Sequence, residues 1–402
     1  MRAVEDRAKT WIAKNCLWFA FAVVFGIGLY LRYLLRTVVS LDMLGDYIPW
    51  MESLQSGGIA KLFADFTPFP YSAAHVYLWA LAAKLFPNMT SITLLKLIVV
   101  AFDMAQVAVA CLLIWQILPK TRRVTGLFAA FSLLWLDPVL LLNGVAWGQT
   151  DVIYLFFSLL TLVFLFRGKP ALGMLCFGLA LSFKLQAVFL LPAILLLYFC
   201  FEKKFSILWY LLVPAVWFAV RVPLQLMNVG FGSAADYLAA QTNSYSAATM
   251  NAANLHALLG DAVKSPLLSR DMWEKYSVAL TVSVLGGMAV WMIWRKIKLD
   301  RQAAVLLCAW SVLTCVFFLP HMHERYGIVG EVLLLLWAVL LWKPRAILYA
   351  ILSVFSVVST YCSYLLGREI IDLQLGGVLN LVLILALSWE LLRQGREPLH
   401  AG

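Results

Sequence analysis

Runs of about 20 apolar residues, the length a helix needs to cross roughly 30 Å of hydrocarbon, recur along almost the whole chain and are divided by short clusters of Lys and Arg. Such a chain is bound to the bilayer. Hydrophobic residues make up 63% of the 402 and charged residues 13%, and the mean hydropathy of +0.88 lies outside the range of soluble domains. The sequence therefore reads as an all-α polytopic membrane protein. The net charge of +10 would by itself point to nucleic acid, but the cations sit between apolar runs, as the positive-inside bias places them. No basic stripe remains for DNA or RNA. Seven cysteines (Cys16, Cys111, Cys176, Cys200, Cys308, Cys315 and Cys362) fall in or beside apolar runs without a C-x-x-C pair or metal-ligand spacing, and read as packing residues. The N-terminus lacks a cleavage pattern, so the first apolar run is expected to stay as a span.

Spans are expected near 16–36, 93–117, 124–143, 150–166, 205–227, 275–295, 301–319, 327–342, 345–365 and 374–392. The run 170–201 is too long for one crossing and is expected to break at Phe183–Gln186, "FKLQ". The stretch 72–87 is short and holds His75 and Lys84. Read as an interfacial helix, it lets every basic cluster, from Arg7 and Lys9 to Arg393 and Arg396, fall on one side. This gives about 12 transmembrane helices with both ends cytoplasmic, a single transmembrane domain over 1–402. The first external loop, 37–92, then carries interfacial helices, and 228–273 is a long external loop capping a site. The polar, non-basic loops all lie outside, and the cytoplasmic loops are too short to cradle a nucleotide.

Several polar groups in these loops are suited to chemistry. Asp42 and Asp46 follow the first span; a carboxylate partly desolvated by Tyr47 and Trp50 would hold a proton more tightly and serve as a base, the alternative being a solvated helix cap. Lys96, Lys184, Arg221 and Arg325 sit in or at the outer ends of apolar runs, where an unpaired charge is costly. Asp103, seven residues after Lys96, is its expected partner on the same helix face. Each cation alone reads equally well as snorkelling to headgroups; together they point to an anion site, with phosphate the obvious anion. "WGQTD", Trp147–Asp151, offers a ring to stack on with Gln149 and Asp151 to bond hydroxyls, as a sugar requires, or else a belt Trp beside a helix cap. In "HMHERY", His321–Tyr326, two His two residues apart do not share a helix face, so zinc of the H-E-x-x-H kind is not expected. Glu324 and Arg325 pair with neighbours or, with His323, hold substrate. Asn88 begins a glycosylation sequon, a weak signal.

"GDYIPW…GG", "WGQTD", "FKLQ…LLP", "NAANLHALLG" and "HMHERY", in this order from about Asp42 to Tyr326, resemble the GT-C superfamily of integral-membrane glycosyltransferases, most closely the branch of GPI-anchor mannosyltransferases and their bacterial relatives. The resemblance implies a GT-C-like bundle with an interfacial helix in the first external loop and a polyprenyl-phosphate-linked sugar donor. It implies a catalytic base in that loop, at Asp46, with Asp42 a second candidate, and places Lys184 and Arg325 near the donor phosphate. His256 departs from the aromatic expected in "NAANLHALLG".

The residues point the same way. With no cytoplasmic domain to bind a nucleotide sugar, a transferase acting outside draws on a lipid-linked sugar. Attack by an acceptor hydroxyl with Asp46 taking its proton inverts the anomeric centre in one displacement, while Lys184, Arg325, Arg221 and His323 hold the phosphate. Asp42, Trp147, Gln149, Asp151, Gln186, Glu324 and Tyr326 are the expected sugar and acceptor contacts, and no metal or cofactor is required. The expected function is an inverting hexosyltransferase of mannose-like specificity, acting on a glycan, glycolipid or protein acceptor at the outer face of a bacterial inner membrane, with the endoplasmic reticulum as the other location. The competing readings are a lipid or sugar transporter or flippase, which should show internal repeats that this sequence lacks, and a polysaccharide polymerase or ligase.

Overall fold

The structure, a computed structural model, describes residues 2–66, 69–229, 247–260 and 270–394, and it is 81% helical. Much of the expected cap at 228–273 lies outside the described residues, as does Arg396. Among the described residues, eight helices are long and apolar enough to cross a membrane: Asn15–Leu35, Ser91–Ile117, Lys120–Ala146, Ile207–Leu226, Met272–Trp294, Arg301–Phe318, Pro344–Leu366 and Leu373–Gln394. Four shorter apolar helices, Asp151–Phe166, Pro170–Phe183, Leu185–Cys200 and Ile328–Leu341, accompany them. Each follows an expected apolar run to within a few residues, because in these runs length and apolarity leave little freedom. The protein is a multi-pass integral membrane protein.

The helices used below are α1 (Arg2–Leu35), α2 (Ile48–Asp65), α3 (Ala73–Leu85), α4 (Ser91–Ile117), α5 (Lys120–Trp135), α6 (Pro138–Leu141), α7 (Asp151–Phe166), α8 (Pro170–Phe183), α9 (Leu191–Cys200), α10 (Leu212–Leu226), α11 (Leu255–Leu259), α12 (Arg270–Trp294), α13 (Arg301–Phe318), α14 (Ile328–Leu341), α15 (Pro344–Leu366) and α16 (Leu373–Gln394). Local chemistry sets many of their ends. Asp300 accepts the Ala303 amide at 2.7 Å to cap α13, Asp137 caps α6 through the Val139 amide at 3.0 Å, and Pro170 and Pro344 open α8 and α15, where a missing N–H costs nothing. Gly168, at φ +71°, turns α7 back onto α8, a conformation that a side chain would strain.

Burial separates a core from a lipid-facing rim. Nearly every residue of α14 and most of α7 and α13 are buried, whereas α1, α10 and α12 expose large apolar side chains such as Trp18, Leu226 and Trp294. Apolar surface on the rim is what lipid tails cover. The run 170–201 does break at the expected elbow: α8 ends at Phe183, Lys184 is extended, and a 3-10 turn at Leu185–Leu190 leads into α9. Helix α7 has 16 residues and α14 has 14, so they rise only about 24 and 21 Å, less than the hydrocarbon thickness. These short helices converge at one end of the bundle, where Asp151 starts α7, Lys184 follows α8 and Arg325 precedes α14.

One expected pairing is corrected. Asp103 does not partner Lys96; Arg32 of α1 reaches it instead, through Nε at 2.8 Å and through a second, shorter bond. Arg32 also donates to the carbonyls of Gly28 at 3.0 Å and Trp135 at 2.9 Å, and its guanidinium lies 3.5 Å from the centre of the Trp135 ring. Guanidinium satisfies this site better than ammonium does, because its fixed fork bonds a carboxylate and two carbonyls together. The Lys96 ammonium is met by the carbonyls of Leu35, Val38 and Val145, so its role is to tie α4 to the end of α1 and to the segment before Trp147. Gly28 makes the close approach of α1 possible, since a Cβ there would overlap the Trp135 indole.

Replacing Asp103 with Asn strands the Arg32 charge inside the bundle and should cost about 3–5 kcal/mol. The paired change Arg32→Met with Asp103→Leu should recover most of that loss. Denaturant-induced unfolding in detergent micelles checks both; equal stability of Asp103→Asn and the wild type would contradict the pairing.

Candidate active site

The converging ends bring together two carboxylates and two cations. Asp42 stands just before a π-helical turn at Met43–Tyr47 and is bonded from several sides. Its Oδ2 accepts from Trp147 Nε1 at 2.9 Å and Gln149 Nε2 at 2.6 Å, with Arg325 at 3.5 Å, and its Oδ1 accepts from the Tyr364 hydroxyl at 2.7 Å. Asp151, fully buried, takes Lys184 on Oδ1 and Asn143 Nδ2 on Oδ2 at 2.9 Å. Arg325 lies between the two, with its Nε 3.9 Å from Asp151 Oδ2. That spacing is too long for a hydrogen bond, and among the described residues the buried Arg325 Nε has no hydrogen-bond acceptor.

Aromatic rings wall this cluster. Trp147 stacks on Tyr364 with centroids 4.0 Å apart, and Arg325 sits 5.1 Å from the Trp147 ring centre. Lys184 lies 5.8 Å from the Tyr326 ring and 5.9 Å from that of Tyr154, within cation–π range. Tyr47 donates to Gln149 Oε1 at 2.9 Å and shares a hydrogen bond with Tyr71. Behind them Trp50, Phe69 and Trp79 pack as a buried aromatic block. His75 lies between Ser72 at 3.0 Å and Thr150 at 2.9 Å; burial, aided by the Lys184 charge, pushes its pKa down to about 3. It is a neutral structural histidine that ties α3 to the "WGQTD" strand of residues.

Backbone geometry holds the cluster in shape. After a π-helical turn at Leu142–Ala146, Gly148 adopts φ +83° and lies directly on the Met43 side chain, which a Cβ would overlap. The Trp147 carbonyl accepts from Ser40 Oγ at 2.6 Å. The glycine of "WGQTD" is therefore required for both conformation and contact, and it lets Trp147 and Gln149 address Asp42 from the same side.

The remaining sequence-derived residues are distributed around this centre. Asp46, four residues after Asp42, is exposed and makes no side-chain hydrogen bond or ion pair among the described residues. Partial burial, reinforced by the Asp42 charge, raises its pKa above the usual carboxylate value. His323 lies 3.6 Å from Glu324 and packs against Tyr326, with ring centres 5.2 Å apart; burial lowers its pKa. Glu324 lines a separate cavity together with Glu331. Gln186 is half-buried in the 3-10 turn after Lys184. Arg221 is buried on α10, over Trp217 at 4.9 Å, beside a small cavity lined by Ser72 and Ser182. It stands behind the elbow, outside the Asp42–Asp151 cluster. His256 accepts a hydrogen bond from Trp273 Nε1 at 2.9 Å, so an indole from α12 lies beside the position where the aromatic was expected.

Tyr364, Asn143 and Tyr71 belong to the centre and escaped the sequence reading. Tyr364 closes an apolar run and looks like any interfacial tyrosine; only its bond to Asp42, 322 residues away in sequence, distinguishes it. A Gly148→Ala change should destabilise the protein by about 1–3 kcal/mol. Adding Met43→Ala should relieve the steric part of that cost and leave the φ penalty; thermal unfolding of the two variants against wild type tests this.

The model of glycosyltransferase family 87 matches residues 66–320, more than half of the chain. The match includes Trp147, Gln149, Asp151, Lys184, Gln186 and Arg221, and it stops short of Asp42 and Asp46 at one end and of His323–Tyr326 at the other. It does not single out the GPI-anchor mannosyltransferase branch. Among curated proteins, none matches the chain. A transporter reading is set aside on this ground. The chain belongs to glycosyltransferase family 87 and is a membrane glycosyltransferase.

Proposed function

We propose that the protein is an inverting transferase that moves a mannose-like hexose from a polyprenyl-phosphate donor to a hydroxyl of a glycan, glycolipid or protein acceptor, at the extracytoplasmic face of a bacterial inner membrane. The observation that carries this reading is the contrast between the two carboxylates of the first loop. Asp42 accepts from three neutral donors with Arg325 close by, so its lone pairs are engaged and its charge is compensated. Asp46 is open to solvent, carries no such bonds and holds a proton more tightly than an ordinary carboxylate. A general base needs a free lone pair and a proton affinity raised toward neutrality, so Asp46 is assigned the base and Asp42 the anchor that orients Trp147, Gln149 and Arg325.

In the reaction the acceptor oxygen bonds the anomeric carbon while the bond from that carbon to the phosphate oxygen breaks. The polyprenyl phosphate leaves with the bonding electron pair, and the acceptor proton passes to Asp46. The extra charge on the departing oxygen is met by Arg325 and Lys184, with His323 and Arg221 as outer contributors to phosphate binding. Arg325 suits this role because its present contacts are long: a phosphate oxygen can take its unbonded Nε without first breaking a strong pair. Trp147, buried and stacked on Tyr364, braces the sugar site from behind, and Tyr326, Gln149, Asp151 and Gln186 are assigned to the sugar and acceptor hydroxyls directly or through neighbours. The basic clusters Lys120/Arg122/Arg123, Lys203/Lys204 and Lys343/Arg345 lie at the opposite ends of their helices from the site, which supports an outside site under the positive-inside bias. About 12 crossings follow if the four short helices span and α2 and α3 lie in the interface.

Asp46→Asn should lower kcat by about 10²–10⁴-fold with a synthetic polyprenyl-phosphate mannose donor; a wild-type rate would remove Asp46 from the role. Since the base acts only when ionised, the wild-type rate should fall on acidification through a pKa above the usual carboxylate range, and Asp46→Asn should abolish that limb. An unchanged pH profile in the variant would assign the limb to another group. Separately, a topology reporter fused after Arg122 should report the cytoplasm; an external signal would put the site on the wrong side for a lipid-linked donor.

A further inference from the structure

Beside the 321–327 segment lies a partly open cavity of about 40 Å³. Two carboxyl groups line it, Glu324 just before α14 and Glu331 in its first turn, 5% and 3% exposed. Helix α15 contributes Ser353, Ser356 and Thr360, and α16 contributes Asn380. Among the described residues no Lys, Arg or His side chain lines it. One oxygen of each glutamate and the Ser356 hydroxyl, all buried, have no hydrogen-bond partner there. Asn380 commits its amide nitrogen to the Ala253 carbonyl at 2.7 Å and Thr360 its hydroxyl proton to the Val357 carbonyl at 2.8 Å, so both present oxygen lone pairs. Gly327 keeps the space open, because a Cβ at that position would come within 2.7 Å of Glu331 Oε1.

Such a cavity is rich in acceptors and poor in donors. Glu324 has His323 at 3.6 Å and Arg325 next to it in the chain, whereas Glu331 has no cationic side chain in contact among the described residues. A carboxylate buried at membrane depth without compensation costs several kcal/mol, and the volume exceeds the roughly 10–15 Å³ that one water-sized occupant needs. Its polar groups present only oxygens, set in an otherwise apolar wall that includes Leu313, Val316 and Phe317, and oxygen donors select a hard cation. A divalent ion would call for six or more oxygens and retained waters, and only one carboxylate here is left uncompensated.

We propose that this cavity is a binding site for one monovalent cation, of sodium-like size and hardness, held by Glu331 with Glu324, Ser356 and Asn380. Bound there, the ion fixes the first turn of α14 and the backbone on which Arg325 is carried, and so acts as a structural ligand of the segment that faces the site. The proposal does not depend on the assignment of donor or acceptor.

The test uses the full chain in lipid nanodiscs at mildly alkaline pH, titrated with sodium chloride against N-methylglucamine chloride at constant ionic strength. Wild type should show a Tm that rises and saturates with sodium only, as a ligand of the native state requires. Glu331→Gln should lose that dependence. Ser356→Ala should move the sodium midpoint up by about tenfold and keeps the test decisive if the first variant does not fold. A Tm that is the same in both salts, as a protonated Glu331 beside trapped water would give, overturns the proposal. So does a sodium response that survives both substitutions, and neither outcome bears on glycosyl transfer.

Discussion

The arrangement of this protein depends on how charge is neutralised inside an apolar bundle. Asp151 is fully buried, and it is tolerable there because Lys184 and Arg325 approach it from two other segments while Asn143 donates to it. Removing Lys184 would leave Asp151 with only the long contact to Arg325, at a depth where water cannot help. The same rule explains why α7, α8 and α14 begin or end together. The charged groups of this centre stand where the helices break, at the elbow at Lys184, after the π turn before Trp147 and in the segment before α14. Irregular backbone at membrane depth is tolerated where it lines a polar centre, and here all three irregular stretches line the same one.

Two charge clusters in the bundle serve different ends. In the first, Arg32 is fully engaged by Asp103 and by carbonyls of Gly28 and Trp135, a closed set that joins α1 to α4 and α5. In the second, Arg325 keeps long contacts and an unbonded Nε. A closed set gives rigidity. An open one leaves hydrogen-bonding capacity for a ligand, which is the physical reason for reading the second cluster, and not the first, as the place where the transferase meets a phosphate.

The spans were legible because an apolar run of sufficient length has one stable outcome in lipid, and the break near Lys184 was legible because the run 170–201 is too long for a single crossing. The motif residues Asp42, Trp147, Gln149, Asp151, Lys184 and Arg325 were legible as polar groups where hydrocarbon was due, and the structure gathers them. The pairings were not legible. Asp103 sits seven residues from Lys96 on one helix, which made them look like partners, yet the carboxylate faces α1 and the ammonium faces the carbonyls at its end. Face and neighbour depend on packing between helices distant in sequence. Tyr364 illustrates the same limit: its hydroxyl donates to Asp42, and nothing local sets it apart from a belt tyrosine. Membership of family 87 fixes the class of chemistry, while the choice of Asp46 over Asp42 as base rests on the hydrogen bonds each carboxylate makes.

The central claim is that the Lys184 and Arg325 side chains form one phosphate site beside the first-loop carboxylates. The most direct measurement is an experimental structure of the protein bound to a non-hydrolysable polyprenyl-phosphonate sugar. The account expects the phosphonate oxygens within hydrogen-bonding distance of Lys184 and of Arg325, with the anomeric carbon on the side of Asp46. A phosphonate bound away from both cations, with Lys184 and Arg325 still paired to Asp151 and Asp42, would contradict it.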